Sequence, residues 1–231
     1  MPEVEYQAMK LSDLKQRAAP DTRGGGNDPA AQTELAVRYL EGLGVRQSFE
    51  RAVQWARRAA EQGYKPGKLR YAEFVDAGLG IAKDKAWAFM ACAETLCGWT
   101  DPEGKRDRRI GRILLADALI ESRSVKLFER AGAVIELRDG TGISLSTNMT
   151  VQALARDFMI SASTLFSAKR SMATDDRALA MAFLDELFGQ AKVEGSPDAG
   201  LRLSFPDRSE LTITRSGQKP YRPTPPPDLI N

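Results

Sequence analysis

The chain has 231 residues, enough for one or two domains with a buried core, and its 42% hydrophobic and 28% charged content is ordinary for a globular protein. A formal charge of +2 selects neither nucleic acid nor a membrane surface, and no apolar run suits a secretory leader or a membrane-spanning helix. There is no histidine, which removes the commonest general base, the usual catalytic triads and most zinc sites.

Residues 5–19, EYQAMKLSDLKQRAA, place Tyr6, Met9, Leu11 and Leu14 at helical spacing and predict a first helix, closed by the loop PDTRGGGNDP. Asp28 is a capping residue for the next helix, with Pro29 at its first position. That helix is predicted from Ala31 to Glu41, with Leu35, Ala36 and Tyr39 on one face. Gly42 follows its last periodic residue, where a left-handed cap suits glycine, and Gly44 lets the chain reverse. Phe49 to Gln62 predicts the partner helix, with Ala52, Val53, Trp55, Ala56, Ala59 and Ala60 as a broad face of mostly small residues.

The arrangement occurs twice. Ala36 overlays Ala72, Tyr39 overlays Val75, Gly42 overlays Gly78, Gly44 overlays Gly80 and Val45 overlays Ile81, all 36 residues apart. With a connection two residues shorter, Ala52 then overlays Ala86, Trp55 overlays Phe89 and Ala59 overlays Ala93, all 34 apart. Hairpins repeated at this period stack into an α-solenoid in which each buries a face on the next. Two repeats need capping helices, for which 5–19 and GKRDRRIGRILLADALIESRSVKLFERAG, about 105–130, are the candidates.

The stretch LAVRYLEGLGVRQSFERAVQWARRAAEQGY and, more loosely, YAEFVDAGLGIAKDKAWAFMACAETLCG resemble the Sel1-like repeat family, a tetratricopeptide-related α-solenoid, over about residues 31–98. The second copy departs from the first where Cys97 stands for Gly63 and Glu94 for an alanine. The resemblance implies a noncatalytic adaptor that holds partners in a right-handed superhelix.

After Gly132 the pattern becomes alternating. AVIELRDGTGISLS sets Ile135 and Leu137 against Ile143 and Leu145 around Asp139-Gly140. LRLSFPDRSELTIT sets Leu201, Leu203 and Phe205 against Leu211 and Ile213 around Pro206-Asp207. These predict two β-hairpins in one sheet, covered by two helices at 150–170 and 174–192. The expected fold is therefore an α-solenoid of helical hairpins (1–130), an α+β domain (131–216) and a Pro-rich disordered tail (217–231).

Three surfaces compete as sites. The first helices of a hairpin array line its concave face, which puts Arg38, Glu41, Arg70 and Glu73 forward as exposed charges in a groove for a peptide or partner helix. The competing reading is a solvated surface whose concavity the C-terminal half fills. Tyr39, Trp55 and Phe89 read as core. The basic cluster Lys105, Arg106, Arg108, Arg109 and Arg112 offers Arg106 and Arg109 to an acidic partner. The clean spacing favours instead the polar face of a helix whose apolar side is Ile110, Ile113, Leu114 and Ala118, and no aromatic residue interleaves the cluster for base stacking.

The third is VQALARDFMISASTLFSAKR, residues 151–170, which looks like a helix-turn-helix that would turn Ser161, Ser163, Thr164, Ser167 and Lys169 toward a major groove. Met159 takes the turn position where glycine is usual, and the second helix opens with no side chain that reads a base pair bidentately. Both facts favour an amphipathic helix on the sheet.

Catalytic motifs are missing: no phosphate loop, nucleophile elbow or HExxH is present, and both GLG segments follow helices. Cys92 and Cys97, five apart on one helix, cannot bridge and have no histidine to activate them, which fits a reduced, cytoplasmic setting. No cofactor or metal is implied. The expected function is a noncatalytic protein-protein interaction module, an adaptor, secretion-associated or immunity-type protein that binds a protein partner. The alternative is a DNA-binding transcription regulator using residues 151–170.

Overall fold

A computed structural model describes residues 3–20, 26–99, 105–128, 132–147, 188–206, 208 and 210–217. The chain divides into two compact units, Met1–Asp84 with Glu103–Gly111, and Lys85–Pro102 with Arg112–Asn231.

The first unit holds α1 (Glu3–Ala8), α2 (Leu11–Ala18), α3 (Pro29–Glu41), α4 (Phe49–Glu61) and α5 (Lys65–Ala77). Local chemistry sets their ends. The Asp28 carboxylate accepts from the Ala30 and Ala31 N–H groups at 2.9 and 3.3 Å, and Ser48 accepts from the Arg51 N–H at 3.3 Å. Gly42 (φ 76°) and Gly78 (φ 73°) both end their helices in the left-handed conformation. The N–H groups of Gly42 and Leu43 return to the Arg38 carbonyl, and those of Gly78 and Leu79 to the Phe74 carbonyl, so the two turns are alike.

The repeat is 36 residues through both of its helices. α3 and α5 start at Pro29 and Lys65, while α4 and α6 (Lys85–Leu96) start at Phe49 and Lys85. The Ser48 N–H donates to the Tyr39 carbonyl at 3.0 Å and the Asp84 N–H to the Val75 carbonyl at 3.1 Å, so the connections are equally long. This corrects the 34-residue overlay of the second helices. Ala52 corresponds to Ala88, Val53 to Phe89 and Ala56 to Cys92, and all six are buried. An alanine-rich helix matches itself after a slip; the hydrogen bonds of the loop do not.

Among the described residues, two apolar clusters help to hold this unit. Ala36, Tyr39, Ala52, Val53, Ala56 and Phe74 form one, with Leu79 and Ile81 of the second turn packed against it. Tyr6, Leu14, Ala18, Ala31 and Leu35 form the other, and the half-buried Trp55 touches both. Tyr39 and Phe89 are core as expected. Small residues let α5 approach α4 closely: a Cβ at Gly67 would lie 2.5 Å from the Ala59 Cβ.

The two turn glycines differ in surroundings. Gly44 and Gly80 share φ 69°, but a Cβ at Gly80 would stand 2.7 Å from the Phe49 carbonyl carbon, whereas one at Gly44 meets nothing within 4 Å. Gly44→Ala is therefore expected to lose about 1 kcal/mol, the penalty of a left-handed alanine. Gly80→Ala should lose about 2 kcal/mol more, because it forces backbone apart. Urea unfolding of the two variants checks the difference.

In the second unit α6 is apolar around its circumference, with Ala86, Ala88, Phe89, Met90, Ala91, Cys92, Ala93 and Leu96 all buried. Strands β4 (Lys192–Ser196), β5 (Gly200–Ser204) and β6 (Glu210–Arg215) lie against it. With β1 (Ser124–Phe128), β2 (Gly132–Glu136) and β3 (Gly142–Thr147) they form one antiparallel sheet in the order β1-β2-β3-β6-β5-β4. Ile135, Ile143, Leu145, Leu201, Leu203, Leu211 and Ile213 alternate onto its buried face.

The two expected hairpins are β2–β3 and β5–β6, and each carries an additional edge strand. Two assignments are corrected by this. The helix expected over about 105–130 is α7 (Lys105–Ile120) alone, because the Arg123 N–H joins the Glu136 carbonyl at 2.7 Å and Ser124–Phe128 pairs with β2. The helix expected to reach 192 stops after residues 188–190, and Lys192–Ser196 pairs with β5, with Gly195 at φ 99°. The helix expected at 150–170, the rest of 174–192 and the tail from 218 lie outside the described residues.

The β2–β3 turn holds the start of α6. Asp139 Oδ2 accepts from the Lys85 N–H at 2.9 Å, and Oδ1 accepts from the Thr141 N–H and Oγ1 at 3.0 and 2.6 Å. Burial disfavours the Asp139 charge, but these hydrogen bonds and the Lys85 charge outweigh it and hold its pKa below the ordinary value. A pKa lower in the folded than in the unfolded chain stabilises above about pH 4 and ceases to do so as pH falls through the folded value. Asp139→Ala is expected to lose about 1 kcal/mol at pH 7. The gap to the parent should narrow below pH ~4, as urea melts at both pH values would show.

Candidate partner-binding site

The first helices of the repeats, α3 and α5, carry the charges that the sequence puts forward. Arg38 is not exposed but 8% accessible, which corrects its assignment to an open face. Its Nε donates to Glu34 Oε1 at 3.0 Å. Its Nη2 donates to the carbonyls of Tyr6, Gln7 and Met9 at 3.1, 3.1 and 2.8 Å. These carbonyls belong to the C-terminal end of α1, where backbone acceptors lack helical partners and a cation is favoured. Arg38 thus fastens α1 to α3. A second tie runs from the Tyr6 hydroxyl to Asp28 Oδ2 at 2.7 Å; burial and this bond push the Tyr6 pKa above its ordinary value.

Glu41 is exposed at the end of α3. Arg70 and Glu73 are half-buried and form an i,i+3 ion pair at 2.6 Å on α5. The four do not make a repeated set, since Phe74 stands at the position equivalent to Arg38 and Ala77 at that of Glu41. Of the basic cluster on α7, Arg109 is exposed while Arg108 is buried, so the cluster is not a uniform polar face; Arg106 lies in the first turn of the same helix. Ser161, Ser163, Thr164, Ser167 and Lys169 lie outside the described residues.

Leu43 is the residue that sequence reasoning passed over. It is 52% accessible, the large hydrophobic side chain left exposed among the described residues. Exposed Glu41 and Arg46 flank it. A signal for it existed: a leucine between two turn glycines, written in both copies as Gly-Leu-Gly. On α4, the Arg58 guanidinium stacks 4.8 Å from the Trp55 ring, which leaves a cation–π pair beside solvent.

Of the described residues, the side chains exposed on α3, α4 and the turn between them are charged or polar ones and the apolar Leu43. Among the described residues no cluster of three or more Cys, Asp or Glu is placed to hold a metal ion, and no helix is long and apolar enough to cross a membrane. No curated protein and no solved structure matches the chain. The family model of the Sel1 repeat matches residues 29–64. That span is α3, the Gly42–Gly44 turn and α4 up to Tyr64, where α5 is about to begin. Residues 29–64 are a Sel1 repeat.

Proposed function

We propose that the chain is a noncatalytic protein-protein interaction module whose helical repeats present a rigid surface to a protein partner. The observation that supports this is the Sel1 repeat at 29–64, followed in 36-residue register by a second set of helices. Repeats of this kind generally bind proteins. The surface on offer comprises Glu41, the Arg70–Glu73 pair and, on α7, Arg109; Arg106 belongs to it by its place in the sequence. An adaptor role in a cytoplasmic secretion-associated or immunity-type assembly fits such a surface.

The test is affinity capture with the full chain and with Glu73→Lys and Arg109→Glu variants. A specific protein recovered by the parent, with affinity on the order of tenfold lower for at least one charge reversal, supports the reading. Capture of duplex DNA in place of a protein, or no specific protein at all, overturns it.

A further inference from the structure

The first-repeat turn is the unoccupied counterpart of a contact made by the second. Leu79 packs on the cluster around Phe74, and Gly80 lies so close to the start of α4 that a Cβ would stand 2.8 Å from the Phe49 oxygen and 2.9 Å from the Glu50 nitrogen. Gly80 thus lies against the first turn of α4. The Leu43–Gly44 turn has the same backbone: glycine φ values of 76° and 69° against 73° and 69°, and paired N–H bonds to one carbonyl at 2.8 and 3.0 Å against 2.9 and 3.1 Å. Yet a Cβ at Gly44 would meet nothing within 4 Å, and Leu43 is 52% accessible. α2, eight residues against thirteen in α4, packs on α3, and no α2 atom comes within 4 Å of a Cβ placed at Gly44.

We infer that the Leu43–Gly44 turn is a docking point for the first turn of an α-helix supplied by a partner protein. The partner backbone passes over Gly44 as that of α4 passes over Gly80, and its apolar residues rest on Leu43. Glu41 stands beside this seat where the second repeat has Ala77, and its charge suits the positive end of an incoming helix. Another copy of this chain is a poor donor through its own repeats. The first turn of α4 is already covered by Gly80, and the first N–H of α6 is held by Asp139. The inference rests on the interaction role proposed above and names its surface.

The probe is a synthetic peptide of the α4 sequence, residues 46–62, titrated into the isotopically labelled full chain and followed by amide chemical shifts. Dose-dependent shifts should centre on Gly42 to Arg46, and Leu43→Asp should weaken binding about tenfold or more. Leu43 touches little, so this variant should melt with the parent. No shifts, shifts confined to Gly78 to Lys83, or unchanged binding by Leu43→Asp would each remove the docking point. Self-association of the chain alone, abolished by Leu43→Asp, would assign the turn to a second copy and overturn the inference. A protein partner lost on Glu73→Lys but held by Leu43→Asp leaves the interaction role standing while removing this site.

Discussion

Phe74→Ala is expected to destabilise the first unit by about 3–5 kcal/mol. The ring is fully buried among Ala36, Tyr39, Ala52, Val53 and Ala56. Three of these five neighbours are alanines whose methyl groups cannot reach into the space that a lost ring leaves. Their backbones are held in α3 and α4, so the cavity cannot collapse without moving whole helices. Phe74→Leu keeps most of the volume and should lose less than about 1.5 kcal/mol. Urea unfolding followed by tryptophan fluorescence reads both, because Trp55 packs on the same cluster. A Phe74→Ala loss below about 1 kcal/mol would mean that α5 is not held to α4 through this ring.

Which parts of this architecture were legible follows from where each residue finds its partners. Gly42 and Gly78 were readable because the left-handed C-cap admits little else, and the Asp139-Gly140 turn because alternation on both sides pins its register. The offset of the second helix was not readable from alanines, which fit equally well at several shifts; the bonds from Ser48 to Tyr39 and from Asp84 to Val75 fix it. Edge strands β1 and β4 escaped because each is five residues long and follows a helix without a long loop. The apolar circumference of α6 was the overlooked clue: positions that are Gln54 and Arg57 in α4 become Met90 and Ala93, so this helix has no face suited to water. At the candidate site, Glu41, Arg70 and Glu73 are put forward by their places on the first helices of the repeats, whereas the pairing of Arg70 with Glu73 is visible only in the structure. The burial of Arg38 depends on carbonyls 29 to 32 residues away along the chain, a separation that local patterning does not span.

The second large effect is expected at Arg38. Arg38→Ala strands a buried Glu34 without its cation and removes the donor shared by three carbonyls. Removing one member of a buried pair costs about 3–5 kcal/mol. The loss here should fall near the lower limit, because α1 is a short helix of six residues that can release its carbonyls to water. Arg38→Lys keeps the charge but lacks the fork that reaches Glu34 and the carbonyls together, so it should recover only part of the loss. Arg38→Met combined with Glu34→Gln leaves no unpaired charge and should exceed Arg38→Ala in stability. Amide exchange separates the consequences: protection at Leu14 and Ala18, which share a cluster with Tyr6, should fall together with the melting temperature. An Arg38→Ala chain that melts within a degree of the parent would show that α1 is held by Tyr6 and Asp28 instead. If the expected loss is seen, a charge reversal at Arg38 that abolishes partner capture acts by undocking α1, and only variants at exposed positions such as Glu41 or Leu43 can locate the partner.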